Sequence, residues 1–366
     1  MKILFLTSEL TIQNGWGRYS QDVIQQLASL GYDIEIAISS KGRNESNEKV
    51  LNFLPKTSDL RKIYFLAPWY AFRLARMCKN YDAIHALVEP YAPIAFWLSR
   101  FSKKPFLVTA HGTYATLPFS FSKLPRSVHA EALRSAKQIV CVSFYTEKML
   151  AKHGLRNTTV INNGLNYGLY KNLQLRSFEE RENLVVSVGA LKQRKGQHIL
   201  IEAFAKIAKK YSDARCVIVG APDDGKYYQL LKNLVAGHGL EEKISFLHGI
   251  SDKEKNELYS CAKAFSLTSI NKDGHYEGFG LVYLEANAHG TPVIGSKKTG
   301  ADDAILDKKT GFLIEQCNSG ELAEQLSVLF SEKEIWNKLS RNSVAWAKEH
   351  DWSSVIGQYA KIYETL

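Results

Sequence analysis

Two glutamates eight residues apart are the side chains of this sequence best placed for chemistry. Glu277 and Glu285 lie in the segment Glu277–Ala286, where Gly278 and Gly280 precede an apolar-periodic run. The pattern predicts a helix whose N-terminal amides face a phosphate, with Glu277 before it and Glu285 about two turns inside it. Eight helical residues rise about 12 Å, whereas the carboxylates of a glycosidase lie about 5 to 9.5 Å apart. The spacing favours the two ends of one elongated ligand, a sugar and a ribose; a buried, hydrogen-bonded Glu285 is the alternative.

A basic loop between a predicted strand and a predicted helix is suited to a diphosphate. It runs from Gly189 to Gly196 and carries Lys192, Arg194 and Lys195. Lysine supplies a point charge, and arginine supplies a two-pronged hydrogen-bond donor. The residue order of a Walker P-loop is absent. A solvated basic loop that binds nothing is the alternative.

A glycine turn follows the first predicted strand and opens a helix. In the run Asn14–Arg18, Gly15 and Gly17 would let backbone amides approach an anion. A dinucleotide fingerprint needs a glycine where this chain has Ser20, and an acid after the second strand, where none occurs before Glu45. A nicotinamide site is therefore disfavoured, and a tight turn is the alternative.

A histidine, His111, follows the predicted strand Phe106–Thr109. A single histidine is more often structural than catalytic. The carboxyl ends of parallel strands, however, line the ligand crevices of α/β proteins. The position therefore leaves a role in the site and a structural role equally open.

Short apolar runs alternate with longer amphipathic runs, which is typical of doubly wound α/β units. The strand-like runs of the first half are Ile3–Thr7, Asp33–Ile38, Ala83–Leu87, Phe106–Thr109, Gln138–Val142 and Thr159–Ile161. The pattern restarts near residue 165, with strand-like runs at Leu184–Gly189, Arg215–Val219, Ile244–Leu247, Ala264–Leu267 and Pro292–Gly295. We therefore expect two such units, with a boundary in Asn162–Leu175.

The composition excludes several classes of protein. The 366 residues are 45% hydrophobic and 23% charged, which is ordinary for a globular protein and unlike a disordered chain. Five scattered cysteines without a C-x-x-C pair predict buried thiols in a reducing cytosol rather than a zinc ribbon. The first apolar run is short and is followed by Glu9, so neither a signal peptide nor a membrane span is predicted.

The net charge of +10 is unevenly distributed. Residues 1–165 hold 21 Lys and Arg against 11 Asp and Glu, whereas residues 166–366 are neutral overall. Basic and aromatic residues are mixed in Lys56–Lys79, Arg100–Lys104 and Leu117–Arg126. This mixture predicts an anionic membrane surface as partner rather than nucleic acid. An ordinary solvated face is the alternative.

Taken together, these motifs resemble the retaining glycosyltransferases of family 4, which have the GT-B fold of two facing Rossmann-like domains. The resemblance covers nearly the whole chain. Glu277 to Glu285 matches the family's E-x7-E motif, and Asn163–Asn166 resembles its inter-domain N-G-x-D. This sequence departs from the family at Asn166, at Ala190 where the family often has Arg, and at Asn14 in place of a glycine. Asparagine tolerates the left-handed backbone better than most residues.

The resemblance implies transfer of a hexose from a nucleoside diphosphate sugar, with retention, to a glycan or lipid-linked acceptor in cell-surface polysaccharide or glycoconjugate biosynthesis. UDP-hexose is favoured and GDP-mannose is the alternative; no metal or other cofactor is expected. The implied domains are an acceptor domain, 1–165 with about 351–366, and a donor domain, 166–350. The C-terminal helix would cross back to the first domain, and the enzyme would be cytoplasmic, on the inner face of the plasma membrane if it binds lipid.

The resemblance also implies a role for each site residue. Lys195 and Arg194 would hold the diphosphate, Glu285 the ribose, and Glu277 and His111 the hydroxyls of the donor sugar. The remaining donor-binding residues would be Gly15, Gly17, Ile250, Gly278, Phe279, Gly280 and Leu281.

Three other functions fit parts of the same pattern. A nucleotide-sugar epimerase of the same fold would need no acceptor. A non-catalytic two-domain sugar-binding protein is usually exported, which the N-terminal sequence does not favour. A nucleic-acid protein would need stacking aromatics along one basic groove.

Overall fold

The computed structural model describes residues 1–119, 124–223 and 225–366, and this part of the chain divides into two compact units. The first unit is Met1–Gly164 with Trp352–Leu366, and the second is Leu165–Asp351. These bounds lie within one residue of those expected from the sequence. The acceptor and donor roles of the two units stay predictions.

The first unit is built on a parallel sheet. Its described strands are β1 (Lys2–Leu6), β2 (Asp33–Ser39), β3 (Val50–Leu54), β4 (Ala83–Ala86), β5 (Phe106–Ala110), β6 (Gln138–Cys141) and β7 (Thr158–Val160). Its helices are α1 (Gly15–Ser29), α2 (Leu60–Met77), α3 (Ala92–Ser102), α4 (Thr113–Thr116), α5 (Leu124–Ser135) and α6 (Phe144–Ala151), with the C-terminal helix given below. The strand order is β3-β2-β1-β4-β5-β6-β7. The order reverses between β1 and β4, so this is the switch point where ligands bind in such sheets.

The second unit repeats the plan. Its strands are β8 (Glu182–Val188), β9 (Arg215–Val219), β10 (Ile244–Leu247), β11 (Ala262–Leu267), β12 (Val293–Ser296) and β13 (Gly311–Ile314). Its helices are α7 (Gln197–Ile207), α8 (Gly225–Gly237), α9 (Asp252–Cys261), α10 (Leu281–Ala288), α11 (Ala301–Ala304), α12 (Ser319–Ser331) and α13 (Lys333–Glu349). The strand order β10-β9-β8-β11-β12-β13 places the switch point between β8 and β11.

Alternating side chains of β1 show how the sheet of the first unit is covered on both faces. Leu4 and Leu6 pack among residues of α2, α3 and α5. Ile3 and Phe5 point to the other face, among residues of α1 and of the C-terminal helix α14 (Trp352–Glu364). The predicted strands are all present, and the structure adds β3 and β13, two short strands at the sheet edges that the prediction omitted.

The C-terminal helix α14 belongs to the first unit, as predicted. Trp352 and Tyr359 are buried, and the Trp352 indole donates to Asp22 at 2.9 Å. The Tyr359 and Tyr19 hydroxyls lie 2.5 Å apart. A Cβ on Gly164 would lie 2.4 Å from the Trp352 ring, so the absence of a side chain there lets the helix pack closely. The fold predicted from the sequence is therefore confirmed.

Within the described residues, no helix combines the length and the apolar character needed to cross a bilayer.

Candidate active site

The loop after β8 lies against the segment after β11 because the two strands are neighbours. It contains a short 3₁₀ turn, Gln193–Lys195, that ends at Gly196. Gly196 has a φ of +72°, and a Cβ there would lie 2.0 Å from the Thr268 carbonyl oxygen. The Arg194 carbonyl accepts from the Ile270 amide at 2.7 Å. The glycine and this hydrogen bond fix the basic loop on the chain that leads to Glu277.

An ion pair between Lys195 and Glu277 joins these two segments. The side chains are 14% and 10% exposed, so the pair is largely withdrawn from water. The Ser269 hydroxyl donates to the same Glu277 oxygen at 3.1 Å. Burial alone would raise the pKa of Glu277, but the charges of Lys195 and Arg194 outweigh it and lower that pKa. Glu277 is therefore a carboxylate at neutral pH.

The other two cations of the loop are placed differently. Lys192 forms an exposed ion pair with Asp223, with its ammonium 3.1 Å from the carboxylate. Arg194 is partly buried, and within the described residues its Nη1 has no hydrogen-bond partner. A buried guanidinium N–H without an acceptor is costly, which favours an anionic ligand that would satisfy it. Arg194 is thus better placed than Lys192 to replace the arginine that the family often has at position 190.

Backbone conformation and close packing require glycine in and around the turn between the two glutamates. Gly280 has a φ of +91°, and a Cβ there would lie 2.4 Å from the Tyr283 ring. The Gly278 carbonyl packs so closely against Gly300 that a Cβ on Gly300 would lie 2.0 Å from it. Phe279 is buried between these glycines. Helix α10 begins at Leu281, after both glycines.

The sequence-based position of Glu285 was wrong by about one turn. Because α10 begins only at Leu281, Glu285 lies one turn inside it rather than two. The estimate of a fully helical rise between the glutamates therefore does not apply. Glu277 and Glu285 nevertheless have separate sets of partners, which keeps two distinct carboxylate environments.

Glu285 is only 4% exposed and is held by helix α9. The Tyr259 hydroxyl donates to its Oε2 at 3.1 Å, and the Lys255 ammonium lies 3.2 Å from the same oxygen. Lys255 was not predicted; the signal is its i, i+4 spacing to Tyr259, which places both on one helix face. Ile250 is partly exposed just before Ser251, the N-cap of α9. The contacts fit both a ribose-binding carboxylate and the alternative of a hydrogen-bonded core residue.

In the first unit, His111 is held by a buried glutamate. Glu89 is fully buried and accepts from the amides of His111 at 2.6 Å and Gly112 at 2.9 Å. The His111 Nε2 lies 2.8 Å from the Leu87 carbonyl, which can only accept, so Nε2 carries the proton. Burial lowers the pKa of His111 to about 4 and raises the pKa of Glu89 to about 7. The imidazole is therefore neutral at pH 7, with Nδ1 able to accept a hydrogen bond.

The glycine turn after β1 is also present, but the expectation of a left-handed backbone at Asn14 was wrong. Asn14 is extended rather than left-handed, and it caps α1 because its side chain accepts from the Gly17 amide at 2.9 Å. A Cβ on Gly17 would lie 2.7 Å from the Thr11 carbonyl oxygen, whereas Gly15 has open space around it. Close packing explains the glycine at 17. Glu45 lies too far beyond the second strand to serve a dinucleotide site. Its carboxylate instead accepts a hydrogen bond from the Thr11 hydroxyl at 2.7 Å.

Two family models match the chain, one on each unit. The model for glycosyl transferases group 1 matches residues 172–346, and the model for glycosyltransferase family 4 matches residues 13–168. Together they span most of the chain.

Similar proteins and a similar structure agree with these matches. An uncharacterized glycosyltransferase of Methanocaldococcus jannaschii is 25% identical over 100% of this chain and 99% of its own. The phosphatidyl-myo-inositol mannosyltransferase of Mycobacterium leprae is 27% identical over 78% of this chain and 74% of its own. Anabaena HepE, in a structure with UDP and glucose, has a TM-score of 0.81 at 23% identity, with all of both chains covered. The GT-B architecture is thereby shown.

Proposed function

The chain belongs to the group 1 glycosyltransferases, and on this premise we propose that it transfers a hexose from a nucleoside diphosphate sugar, with retention, to a glycan or lipid-linked acceptor. The observation that carries the proposal is the pairing of Lys195 with Glu277 beside the unpartnered Nη1 of Arg194. Two cations and one carboxylate at a strand switch point match a ligand that has anionic phosphates next to sugar hydroxyls.

In the proposed reaction, the diphosphate gathers negative charge as the bond to the anomeric carbon breaks. Lys195 and Arg194 stabilise that charge, and the amides at the start of α10 add to it. Such stabilisation is greater in the transition state than in the ground state, so it accelerates the chemical step. Glu277 then has two tasks, because it holds Lys195 in place and accepts hydrogen bonds from the sugar.

Retention follows if the acceptor hydroxyl attacks the face from which the diphosphate departs. The new bond forms between the acceptor oxygen and the anomeric carbon while the old C–O bond breaks. The proton of the acceptor hydroxyl passes to the departing phosphate oxygen. No enzymic nucleophile is needed, and the proposed mechanism uses no metal or other cofactor.

The nucleoside of the donor would bind to α10 and to the start of α9. Glu285, fixed by Lys255 and Tyr259, would accept hydrogen bonds from both ribose hydroxyls. Ile250, at the entrance to α9, would lie near the base. The roles given to Gly15, Gly17 and His111 stay predictions, with the neutral His111 ring offering an acceptor to a sugar hydroxyl.

The base and sugar of the donor remain a choice between UDP-hexose, which we favour, and GDP-mannose. Anabaena HepE was solved with UDP-glucose, and a relative in Mycolicibacterium smegmatis, 33% identical over 36% of this chain, is named as GDP-mannose-dependent. A thermal-shift screen with UDP, GDP and ADP sugars tests the choice, because a ligand of the native state raises the melting temperature. A nucleoside diphosphate sugar should raise the melting temperature. A protein that no such ligand stabilises would contradict the proposed function.

The epimerase alternative is separated by the fate of the sugar. An epimerase would release an altered free sugar from the donor alone. A transferase converts the donor to nucleoside diphosphate and a glycoside, at a rate that depends on an added acceptor.

A further inference from the structure

We infer that one face of the first unit, formed by α2 and the end of α3, docks on an anionic lipid bilayer. The exposed residues that define this basic apolar face are Arg61, Lys62, Phe65, Leu66, Trp69, Phe72, Arg73, Arg76, Arg100 and Phe101. The inference concerns where the enzyme sits, and it does not depend on the donor or the reaction.

One side of α2 packs against the first unit with small and aliphatic residues, whereas its largest apolar residues are exposed to solvent. Ile63, Ala67, Ala71 and Leu74 are buried against the first unit. Phe65, Trp69 and Phe72, at i, i+4 and i+7, point away from them and are 68%, 49% and 49% exposed. Exposed aromatic residues that form a row along one helix are unusual on a free surface.

The row continues onto the neighbouring helix. The rings of Phe72 and Phe101 are 6.4 Å apart and nearly perpendicular. Phe101 lies at the end of α3 and is 46% exposed. The apolar surface therefore extends over two helices rather than ending with a single side chain.

Two arginines of α2 form cation–π contacts with rings of this row. The guanidinium of Arg73 lies 5.6 Å from the Trp69 ring, and that of Arg76 lies 5.5 Å from the Phe72 ring. An arrangement of rings beside cations matches the level of a bilayer where phosphates meet acyl chains. Both contacts keep the guanidinium groups beside the apolar row.

The charge of the face selects an anionic surface. Residues 60–81 contain five Lys and Arg and no Asp or Glu, and residues 90–130 also contain no acid. Lys62 is paired with Asp59, just before α2, at 3.1 Å. A bilayer with anionic headgroups complements such a surface, and each cation near it strengthens binding. Residues 120–123 of the third basic segment predicted from the sequence, among them Phe121 and Lys123, lie outside the described residues.

Co-sedimentation of the full chain with vesicles tests the inference in the absence of any donor or acceptor. We expect binding to phosphatidylcholine vesicles that contain phosphatidylglycerol, little binding to phosphatidylcholine alone, and weakening as salt shortens the Debye length below about 10 Å. The double variant R73E/R76E should lower the partition coefficient at least tenfold. The control K338E/R341E changes the charge equally on exposed residues of α13 and should bind like the wild type.

The contribution of the apolar residues to vesicle binding is tested with a matched pair of variants. Phe72→Ala should weaken binding to anionic vesicles, whereas Phe144→Ala, which removes a 64% exposed ring elsewhere in the same unit, should not. Vesicles with brominated acyl chains should quench part of the fluorescence of the six tryptophans, and that part should be lost in Trp69→Phe.

Three results would overturn the inference. They are equal binding to neutral and anionic vesicles, unchanged binding by R73E/R76E, and absence of binding to anionic vesicles, whether or not an acidic protein or a nucleic acid is bound. Circular dichroism of each variant separates loss of the surface from loss of the fold. A failed vesicle test leaves nucleotide-sugar binding untouched, so the two proposals fail separately.

Discussion

Lys195 and Glu277, 82 positions apart in the sequence, form an ion pair at the adjacent ends of β8 and β11. The pair holds a cation and a carboxylate side by side, where a sugar diphosphate presents a phosphate beside hydroxyls. A buried pair of this kind is weak evidence for stability, because desolvation of both charges opposes their attraction. Its position at the switch point makes a role in binding the better explanation.

Removing the ammonium should impair the reaction, and circular dichroism of the variant separates this effect from any loss of the fold, because Glu277 loses its buried partner. Lys195→Ala is expected to lower kcat/KM by about 10²–10³-fold, because it removes a charge that opposes the negative charge of the leaving group. Lys192→Ala is the matched control, since that exposed lysine is paired with Asp223, and it should lose less than tenfold. Initial rates with the donor found by thermal shift provide the comparison, and similar losses in both variants would count against the assignment.

A carboxylate that binds ribose should respond to the ribose hydroxyls. Glu285→Gln is expected to weaken nucleoside diphosphate binding by about 10- to 100-fold, since a hydrogen bond to a charged group contributes about 1.5–3 kcal/mol. Calorimetric titration with the nucleotide and with its 2′,3′-dideoxy form makes the test independent of folding. The wild type should discriminate between the two and the variant should not. Equal discrimination by both proteins would support the core-residue alternative.

The buried histidines of the first unit should make folding sensitive to acid. Burial lowers the pKa values of His85 and His129 to about 3 and that of His111 to about 4, against about 6.5 in the unfolded chain. The unfolded state therefore binds protons first, and stability falls as pH drops below about 6.5. Each histidine should contribute a loss of about 2 kcal/mol between pH 7 and pH 5.

Glu89 acts in the opposite direction. Its pKa, raised to about 7 by burial, means that the folded state binds a proton more readily than the unfolded state between about pH 4.5 and 7. Protonation of Glu89 therefore offsets about one histidine as pH falls, and Glu89→Gln should make the decline steeper. Urea unfolding at pH 5 and pH 7 measures both effects. Equal or greater stability at pH 5 would contradict the histidine argument.

Two glycines of the turn after β1 offer a steric test. Gly17→Ala should destabilise the protein by about 1–3 kcal/mol, because its Cβ would lie 2.7 Å from the Thr11 carbonyl oxygen. Gly15→Ala, with open space around the Cβ, should be neutral or stabilising by up to about 1 kcal/mol. Thermal unfolding of both variants measures the difference. Equal melting temperatures would show that the turn accommodates the added methyl group.

The loops that carry the site were predictable because each follows a strand of a doubly wound sheet, where chemistry-bearing residues gather. His111 and the basic loop were found in this way. The pairing of Lys195 with Glu277 was not, since it depends on β8 and β11 being neighbours, which apolar periodicity does not encode. Lys255 and Glu89 were missed because only the packed structure shows which helix face or buried carboxylate reaches a site residue. The turn at Gly280 likewise shortened the helix that the sequence pattern had assigned to Glu285.

Lys195 and Arg194 are proposed to bind the diphosphate of a nucleotide sugar. Titration of the wild type and of a Lys195→Ala, Arg194→Ala variant with UDP and UMP, or with GDP and GMP if the screen selects guanosine, tests it most directly. The wild type should bind the diphosphate at least tenfold more tightly than the monophosphate, and this preference should disappear in the variant. An unchanged preference for the diphosphate in the folded variant would show that these two cations do not bind it.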